Sequence, residues 1–202
     1  QIDRPLRLFV NDFDQNGSVE QILTMYEGEH SYPLVLKSTL LKQLPGLRKQ
    51  LIKYDDFKDK RMEDLFSKEI LDRSMQLEVH TLETSLFINN GNGKFVKTPL
   101  PKEVQSSPVY AIHSFMDDHG DFHLLFGGNQ RKIKPELGIN LGSYGWHLKR
   151  GSMGELEFVP ASRSGFFIRG EIRDIQPYQA SQGLRFLVGK NNDTLKIMDF
   201  IK

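Results

Sequence analysis

Short apolar runs separated by turns rich in Gly, Asn and Asp make up most of this chain. Runs of about four to eight residues bounded by such turns are typical of β-strands. The clearest hairpin signal is Asn89-Asn90-Gly91-Asn92-Gly93, because its residues tolerate positive φ and apolar runs flank it. Similar pairs of runs flank residues 11–20, 117–121, 151–154 and 191–193. The pattern predicts a mainly β fold built from antiparallel hairpins.

A second, helical pattern occupies residues 31–76. Leucines recur there at helical spacing, at Leu40, Leu41, Leu44, Leu47 and Leu51. Ser38 and Ser67 are expected to cap helices, and Pro45-Gly46 is expected to break the first one. The segment mixes basic and acidic residues evenly, which is typical of a solvated helical face, with a partner-binding surface as the alternative. We therefore predict a helical insertion within a β-sheet.

The β pattern repeats loosely along the chain. Its unit is a strand, an Asp-rich turn, an apolar strand that ends in small residues, and two strands joined by a Gly/Asn turn. Four antiparallel strands per unit are the blade pattern of a β-propeller, and the roughly three visible units are fewer than a closed ring needs. We predict a partial β-propeller of about three four-stranded antiparallel blades with a helical insertion. Its divisions are expected at 1–30 for half a blade with an Asp-rich loop, 31–76 for the insertion and 77–202 for the remaining blades.

Residues 11–20 carry the strongest chemical signal. Oxygen-bearing side chains alternate along this segment around Gly17, at Asp12, Asp14, Asn16, Ser18 and Glu20. Calcium prefers several oxygen ligands on a compact loop, but an EF-hand would need Glu where this chain has Leu23. The alternative is an Asx-rich turn without metal, in which the same side chains bind local N–H groups. We predict a structural calcium site on a loop between two strands, with side-chain ligands from Asp12, Asp14, Asn16 and Glu20 and the backbone carbonyl near Ser18.

At these residues the chain resembles the FG-GAP or VCBS repeat, the blade repeat of integrin α-subunit-like propellers. That repeat reads D-x-D-G-x-G-x-x-D, followed by an apolar strand and Gly-Gly. Gln15 replaces its usual Gly, and Glu20 replaces its usual final Asp. Residues 89–95 resemble its N-x-G-x-G-x-F turn, and residues 124–129 resemble its strand end. The resemblance covers the chain apart from the helical insertion. With such an insertion followed by blades, the chain resembles large VCBS-repeat proteins from Bacteroidetes-like bacteria.

The second acidic turn departs from this repeat. Alignment puts Phe115, Asp117, His119 and His123 at the ligand positions, and Phe cannot bind a metal. We expect a turn that keeps its shape without metal. The alternative is a transition-metal site formed by His113, His119, His123 and Asp117, because histidine suits zinc or copper.

Two further groups have both a structural and a ligand-binding interpretation. Arginines near Phe166 and Phe167 are expected to pair with local acids, with an anionic ligand as the alternative; they are Arg163, Arg169 and Arg173. Trp146 is expected in the core, and the alternative is a sugar site that it forms with Tyr144 and His147.

Composition restricts the classes of function. The formal net charge is +1, so there is no overall field to attract nucleic acid or an anionic membrane. The absence of cysteine excludes disulfides and thiolate chemistry. No run is long and apolar enough for a membrane helix, and no signal peptide is visible. Because the chain opens in strand-like sequence, we expect it to be part of a longer protein.

The sequence favours a non-catalytic binding or scaffold module of a cell-envelope or secreted protein. The resemblance implies adhesion and binding of a protein or glycan in a setting where calcium is abundant. Motifs for serine hydrolases, zinc proteases and phosphate-binding loops are missing from the sequence. The alternative is a hydrolase or lyase with an active site near the helical insertion. Unpaired blade edges also favour edge-to-edge homo-oligomers.

Overall fold

Antiparallel β-sheets dominate the computed structural model, which describes residues 3–134, 137–181 and 183–200. The chain divides into two compact units, residues 1–82 and 83–202. The sheets have two to four strands each, and none of them closes on itself within the described ranges. The prediction of a mainly β fold is therefore confirmed. No helix in the described ranges is both long and apolar enough to cross a bilayer.

The first unit contains a four-stranded sheet in the order β3-β2-β1-β4. Its strands are β1 (Leu6–Asn11), β2 (Glu20–Glu27), β3 (His30–Pro33) and β4 (Met75–Val79). The helices lie between β3 and β4 in the chain: α1 (Lys37–Gln43), a 3-10 helix (Pro45–Lys49), α2 (Met62–Leu65) and α3 (Lys68–Arg73). The chain thus leaves the sheet after β3 and returns to its opposite edge through β4. The predicted division at residue 77 falls inside β4.

Helix ends follow the local turn chemistry only in part. Ser67 precedes α3 as its N-cap residue, as predicted. The predicted cap at Ser38 is wrong, because the extended residue before α1 is Leu36 and Ser38 lies inside the helix. Pro45 opens the 3-10 helix, a position that needs no backbone N–H and suits its fixed φ.

The leucines at helical spacing form one core with the sheet of the first unit. Leu40, Leu44 and Leu51 are fully buried, and they belong to the same apolar cluster as Phe9 and Ile22. Burying each such side chain contributes about 1.5–3 kcal/mol. The helical segment is therefore an integral part of this core.

The second unit contains sheets in the orders β10-β9-β8-β7, β11-β12-β13 and β5-β6. Its strands are β5 (Leu86–Asn89), β6 (Phe95–Thr98), β7 (Val109–Met116), β8 (Phe122–Gly128), β9 (Trp146–Arg150), β10 (Leu156–Val159), β11 (Ile172–Ala180), β12 (Gly183–Lys190) and β13 (Lys196–Asp199). A 3-10 helix (Lys102–Gln105) and helix α4 (Ala161–Ser164) complete it. The hairpins predicted around residues 89–93 and 117–121 are confirmed, since these turns join β5 to β6 and β7 to β8.

Close packing explains why β8 ends in two glycines. A Cβ atom on Gly127 would lie 2.2 Å from Cγ2 of Ile172, and one on Gly128 would lie 1.9 Å from the carbonyl oxygen of Pro108. Real side chains essentially never tolerate such distances. The small residues at this strand end therefore allow β8 to lie directly against β11 and the segment before β7.

Candidate functional site

The Asp12 loop, residues 12–19, joins β1 to β2 next to the paired residues Asn11 and Glu20. Its turn requires left-handed backbone at Gln15 (φ 58°) and Gly17 (φ 88°). Glycine adopts such a conformation readily, whereas a non-glycine residue does so rarely. Gln15 thus holds a conformation that its side chain disfavours at the position where the resembled repeat has glycine.

Side chains within the Asp12 loop also close it by hydrogen bonds. The backbone N–H of Asn16 donates to Oδ1 of Asp12 (2.9 Å), and that of Gly17 donates to Oδ2 (2.8 Å). The Asn16 amide oxygen accepts the N–H of Ser18 (2.8 Å). These are the Asx-turn bonds expected for such a sequence. They hold the Asp12 carboxylate in place.

Glu20 connects the loop to the apolar core. It is only 5% exposed, and its Oε2 accepts the backbone N–H of Phe13 at 3.1 Å. Phe13 is itself buried, and its ring centroid lies 4.4 Å from that of Phe66. An ionised carboxylate is rarely buried this deeply without a partner of opposite charge.

Three carboxylates converge at the loop. Asp12, Asp14 and Glu20 each offer an oxygen, and these atoms lie within 4.8 Å of one another. Within the described ranges none of the three forms an ion pair with a basic group. Two like charges at this spacing repel by about 1 kcal/mol in water and about 4 kcal/mol near a protein surface.

The donor set fits a hard divalent cation. Two oxygens bound to one calcium ion at about 2.3–2.6 Å lie at most about 5 Å apart, which the spacing of the three carboxylates satisfies. The predicted ligands Asn16 and Ser18 belong to the same loop, and the Asn16 amide oxygen is engaged by the Ser18 N–H. Asp12, Asp14 and Glu20 could therefore hold a metal ion together.

The second acidic turn joins β7 to β8 and is also closed by an aspartate. Oδ1 of Asp117 accepts the backbone N–H groups of His119 and Asp121, both at 2.9 Å. These bonds, that of Asp121 first, together with the His123 ring lower the pKa of Asp117 to about 2. Within the described ranges, the alternative transition-metal set of His113, His119, His123 and Asp117 does not bring three ligand atoms together.

Strand alternation gathers ionisable side chains on one face of the β7–β10 sheet. Lys149 pairs with His123 on one side and with Glu157 on the other. Because alternate residues of a strand share a face, Asp121 and His147 lie on that same face. The opposite face carries Leu124, Phe126, Trp146 and Leu148, which form an apolar cluster.

Two buried imidazoles lie at the centre of this polar face. His123 and His147 are 3% and 5% exposed, and Nδ1 of His123 lies 2.8 Å from Nε2 of His147. Nε2 of His123 lies 3.3 Å from Oδ2 of Asp117. Because Asp117 is ionised, Nε2–H of His123 donates to it, and the direction of the bond between the two imidazoles depends on their tautomers. Nδ1 of His147 is buried and has no hydrogen-bond partner in the described part of the chain.

Burial keeps His147 neutral. It lowers the pKa of His147 from its ordinary value of 6.5 to about 4, with additional effects from His123 and Lys149. Phe115 stacks on the His123 ring at 4.9 Å between centroids, and Phe200 meets the same ring edge-on at 5.3 Å. The apolar rings thus cover part of the imidazole pair.

A cavity of about 420 Å³ lies against this polar face. We call it the His123–His147 cavity; its lining includes Asp121, His123, His147, Lys149, Glu157, Arg163 and Phe200. Nζ of Lys149 donates to Asp121 at 2.6 Å, which raises the pKa of the lysine. The arrangement offers donors, acceptors and a ring within one concave surface.

The other arginines singled out in the sequence have partners of their own. Arg173 donates to Glu171 (3.1 Å) and lies over the Tyr110 ring, which is a structural role as expected. Arg169 lies 5.9 Å from the ring centroids of both Tyr144 and Phe167.

The alternative of a sugar site formed by Tyr144, Trp146 and His147 does not match the structure. Trp146 is in the core, as expected, on the sheet face opposite His147. Tyr144 stacks on Phe167, with ring centroids 4.5 Å apart. In the sequence, His alternates with apolar residues in β8 and β9, and this pattern could have indicated that each His lies on a polar face. The pattern does not show that these two strands pair, so it could not predict the contact between the imidazoles.

Comparisons with family models, curated proteins and solved structures return no match. The resemblance to the FG-GAP/VCBS repeat therefore rests on the residues quoted from the sequence and stays a prediction.

Proposed function

We propose that this chain is a non-catalytic binding or scaffold module of a cell-envelope or secreted protein, with a calcium ion bracing its Asp12 loop. The supporting observation is the convergence of the Asp12, Asp14 and Glu20 carboxylates without a basic partner in the described ranges. Calcium bound there supplies a compact positive charge that offsets their repulsion. Because Glu20 is tied to Phe13, the ion would couple the loop to the core of the first unit.

We further propose that the sheets are blades of an incomplete propeller of the FG-GAP/VCBS type. Two sheets have four antiparallel strands, and each acidic loop joins the first two strands of its sheet. Such blades present a rigid surface for a protein or glycan. Their open edges favour edge-to-edge pairing of copies of the chain. In an extracellular or cell-envelope setting, calcium is abundant enough to keep a weak site filled.

The cation site is tested best with Asp14→Asn. The Asp14 side chain makes no hydrogen bond in the described part of the chain, so this change removes a ligand without breaking the loop. Without calcium we expect a free energy of unfolding equal to or above that of the wild type, because repulsion is reduced. With millimolar calcium we expect the variant to be the less stable protein and to bind calcium more weakly in calorimetric titrations.

The control is Asp59→Asn, which removes an exposed carboxylate elsewhere in the same unit. It should leave both calcium affinity and stability unchanged. Absence of calcium binding by the wild type at millimolar concentrations would refute the proposal. The same holds if Asp14→Asn keeps the wild-type affinity.

The alternative function is a hydrolase or lyase, and the residues that support it lie outside the helical segment. Shifted pKa values there belong to surface groups paired along the helices, such as Lys68 with Asp72. A cluster of carboxylate and imidazole with shifted pKa values lies instead in the His123–His147 cavity, a combination typical of active sites. Hydrolysis of nitrophenyl esters or glycosides that is lost in His147→Gln would favour this alternative, and the absence of such hydrolysis would remove it.

A further inference from the structure

We infer that the His123–His147 cavity binds a neutral, hydroxyl-rich molecule such as a monosaccharide unit. The inference rests on the proposed binding role, which it deepens by naming a site and a ligand class. It does not depend on the cation at the Asp12 loop, because the cavity lies entirely in the second unit.

The cavity has the size and polarity of a site for a small polar ligand. Its volume of about 420 Å³ lies within the roughly 300–1,000 Å³ that is usual for such sites. This sheet face combines the buried His123 and His147 with the more exposed Lys149 and Glu157. Buried polar groups are expensive unless they have partners, so a concavity that joins the two imidazoles to accessible charged groups is suited to a polar ligand.

Hydrogen-bonding capacity remains unused at several points of the lining. Glu157 and Arg163 form no ion pair in the described ranges, although both line the cavity. Nδ1 of His147 is buried and lacks a hydrogen-bond partner in the same ranges. Hydroxyl groups both donate and accept, so one hydroxyl-rich molecule can satisfy a carboxylate, a guanidinium and an imidazole together.

The charges of the lining favour a neutral ligand. Carboxylates at Asp117, Asp121 and Glu157 share the cavity lining with cations at Lys149 and Arg163, so neither sign dominates. Asp121 and Lys149 already neutralise each other at 2.6 Å. A ligand with a net charge would therefore meet repulsion as well as attraction.

Apolar surface completes the match. The Phe200 ring and the Val159 side chain line the same cavity. A sugar ring has C–H groups on its faces and hydroxyls at its edge, so it can contact the aromatic ring while its hydroxyls reach the charged groups. Phe200 packs edge-on against both imidazoles, with ring centroids 5.3 Å from His123 and 6.2 Å from His147.

A titration with matched sugars tests the ligand class. Glucose, galactose, mannose and N-acetylglucosamine serve as neutral probes, with glucuronate and glucosamine as charged counterparts of glucose. We expect at least one neutral sugar to bind with a dissociation constant of about 1 mM or below, and to shift the NMR signals of residues 121–123 and 147–149. The inference is overturned if no neutral sugar binds, or if a charged counterpart binds more tightly than every neutral sugar.

Two substitutions at the exposed rim test the site without disturbing the core. Glu157→Gln and Arg163→Gln should each weaken sugar binding about tenfold, since each removes a charge-assisted hydrogen bond. The matched controls are Glu63→Gln in the first unit and Arg131→Gln, an exposed arginine outside the cavity. Unchanged binding in both rim variants, or equal losses in the controls, would place the sugar elsewhere and overturn the assignment.

Repeating the titration with Asp14→Asn separates this inference from the proposed cation site. Sugar binding that persists in Asp14→Asn and in chelator supports the cavity even if calcium fails to bind the Asp12 loop. Calcium binding by a protein that binds no sugar would leave the cation site standing and remove the cavity assignment alone.

Discussion

Backbone conformation at single residues decides how the Asp12 loop presents its carboxylates. Gln15 and Gly17 take positive φ values, and this brings both N–H groups of Asn16 and Gly17 to the Asp12 carboxylate. The loop is therefore shaped by local hydrogen bonds. Its carboxylates converge because the turn is closed, and the energetic cost of that convergence is what a cation would offset.

Gly17→Ala should destabilise the first unit by about 1–2 kcal/mol, because an L-residue disfavours positive φ. An added Cβ at Gly17 would meet no atom within 4 Å, so the effect comes from the backbone alone. Gly46→Ala is the control, since its Cβ also enters open space and its φ is not positive. That change should be neutral or stabilise by up to about 1 kcal/mol in denaturant unfolding. Equal effects of the two substitutions would contradict this account of the loop.

At the scale of elements, the helical segment belongs to the core of the first unit. Leu40 is fully buried in the same apolar cluster as Phe9 of β1 and Ile22 of β2, whereas Leu36, one turn earlier, is 47% exposed. Short helices such as these are unstable alone in water and depend on tertiary packing. The segment is thus held by its leucines rather than by helix propensity.

Leu40→Ala should lower the free energy of unfolding of the first unit by about 2–5 kcal/mol, because it leaves a cavity in the core. Leu36→Ala is the matched control, and we expect it to change stability by about 0.5 kcal/mol or less. Urea denaturation of both variants measures the difference. Similar small effects would show that the helical segment is peripheral to the core.

The imidazole face of β8 and β9 makes the second unit sensitive to acid. The pKa of His147 is about 4 in the folded protein and near 6.5 when unfolded, so the unfolded chain binds a proton first as the pH falls. Stability of the second unit should therefore decrease between pH 6.5 and pH 4. The loss linked to Asp117, whose pKa is lowered to about 2 from 3.8, should begin only below that range.

Trp146, the sole tryptophan, is buried beside His147 and reports unfolding of the second unit. Fluorescence-detected denaturation from pH 7 to pH 4 measures the slope. His147→Gln should flatten this slope, and His119→Gln, which changes an exposed histidine of the neighbouring turn, should keep it. A wild-type slope that survives in His147→Gln would assign the acid sensitivity to another group.

At the scale of the whole molecule, two compact units carry two different chemistries. The converging carboxylates lie in the first unit, and the buried imidazoles lie in the second. A ligand that binds only the folded form stabilises the unit to which it binds. Calcium should therefore change the stability of the first unit, and protonation of the imidazoles should change that of the second.

Calcium should slow amide hydrogen exchange in residues 6–27 of the first unit and leave the Trp146 unfolding transition unchanged. Acidification to pH 5 should instead destabilise the second unit first, so that the unfolding transition reported by Trp146 moves to a lower denaturant concentration. Hydrogen exchange and tryptophan fluorescence on the same sample measure both effects. A calcium-dependent shift of the Trp146 transition comparable to the protection of residues 6–27 would show that the ion does not act on the first unit alone.

Short-range patterns predicted the features that depend on neighbouring residues. The hairpin at residues 89–93 follows from its Asn/Gly turn, and the buried face of the helical segment follows from the spacing of its leucines. The convergence of Asp12, Asp14 and Glu20 likewise follows from alternation around a tight turn. Ser38 shows the limit, because the start of α1 is set at Leu36 rather than by the best capping residue.

The β-rich character, the turns and the acidic loop can be inferred from the amino-acid sequence, since backbone propensity, side-chain alternation and turn chemistry act over a few residues. Long-range packing sets three further features: β4 pairs with β1, Gly127 must be small to admit Ile172, and His123 meets His147. These contacts join residues far apart in the chain, and their formation depends on which surfaces are buried together. The chemistry of the second unit is therefore a product of packing, while that of the Asp12 loop is already present in its local sequence.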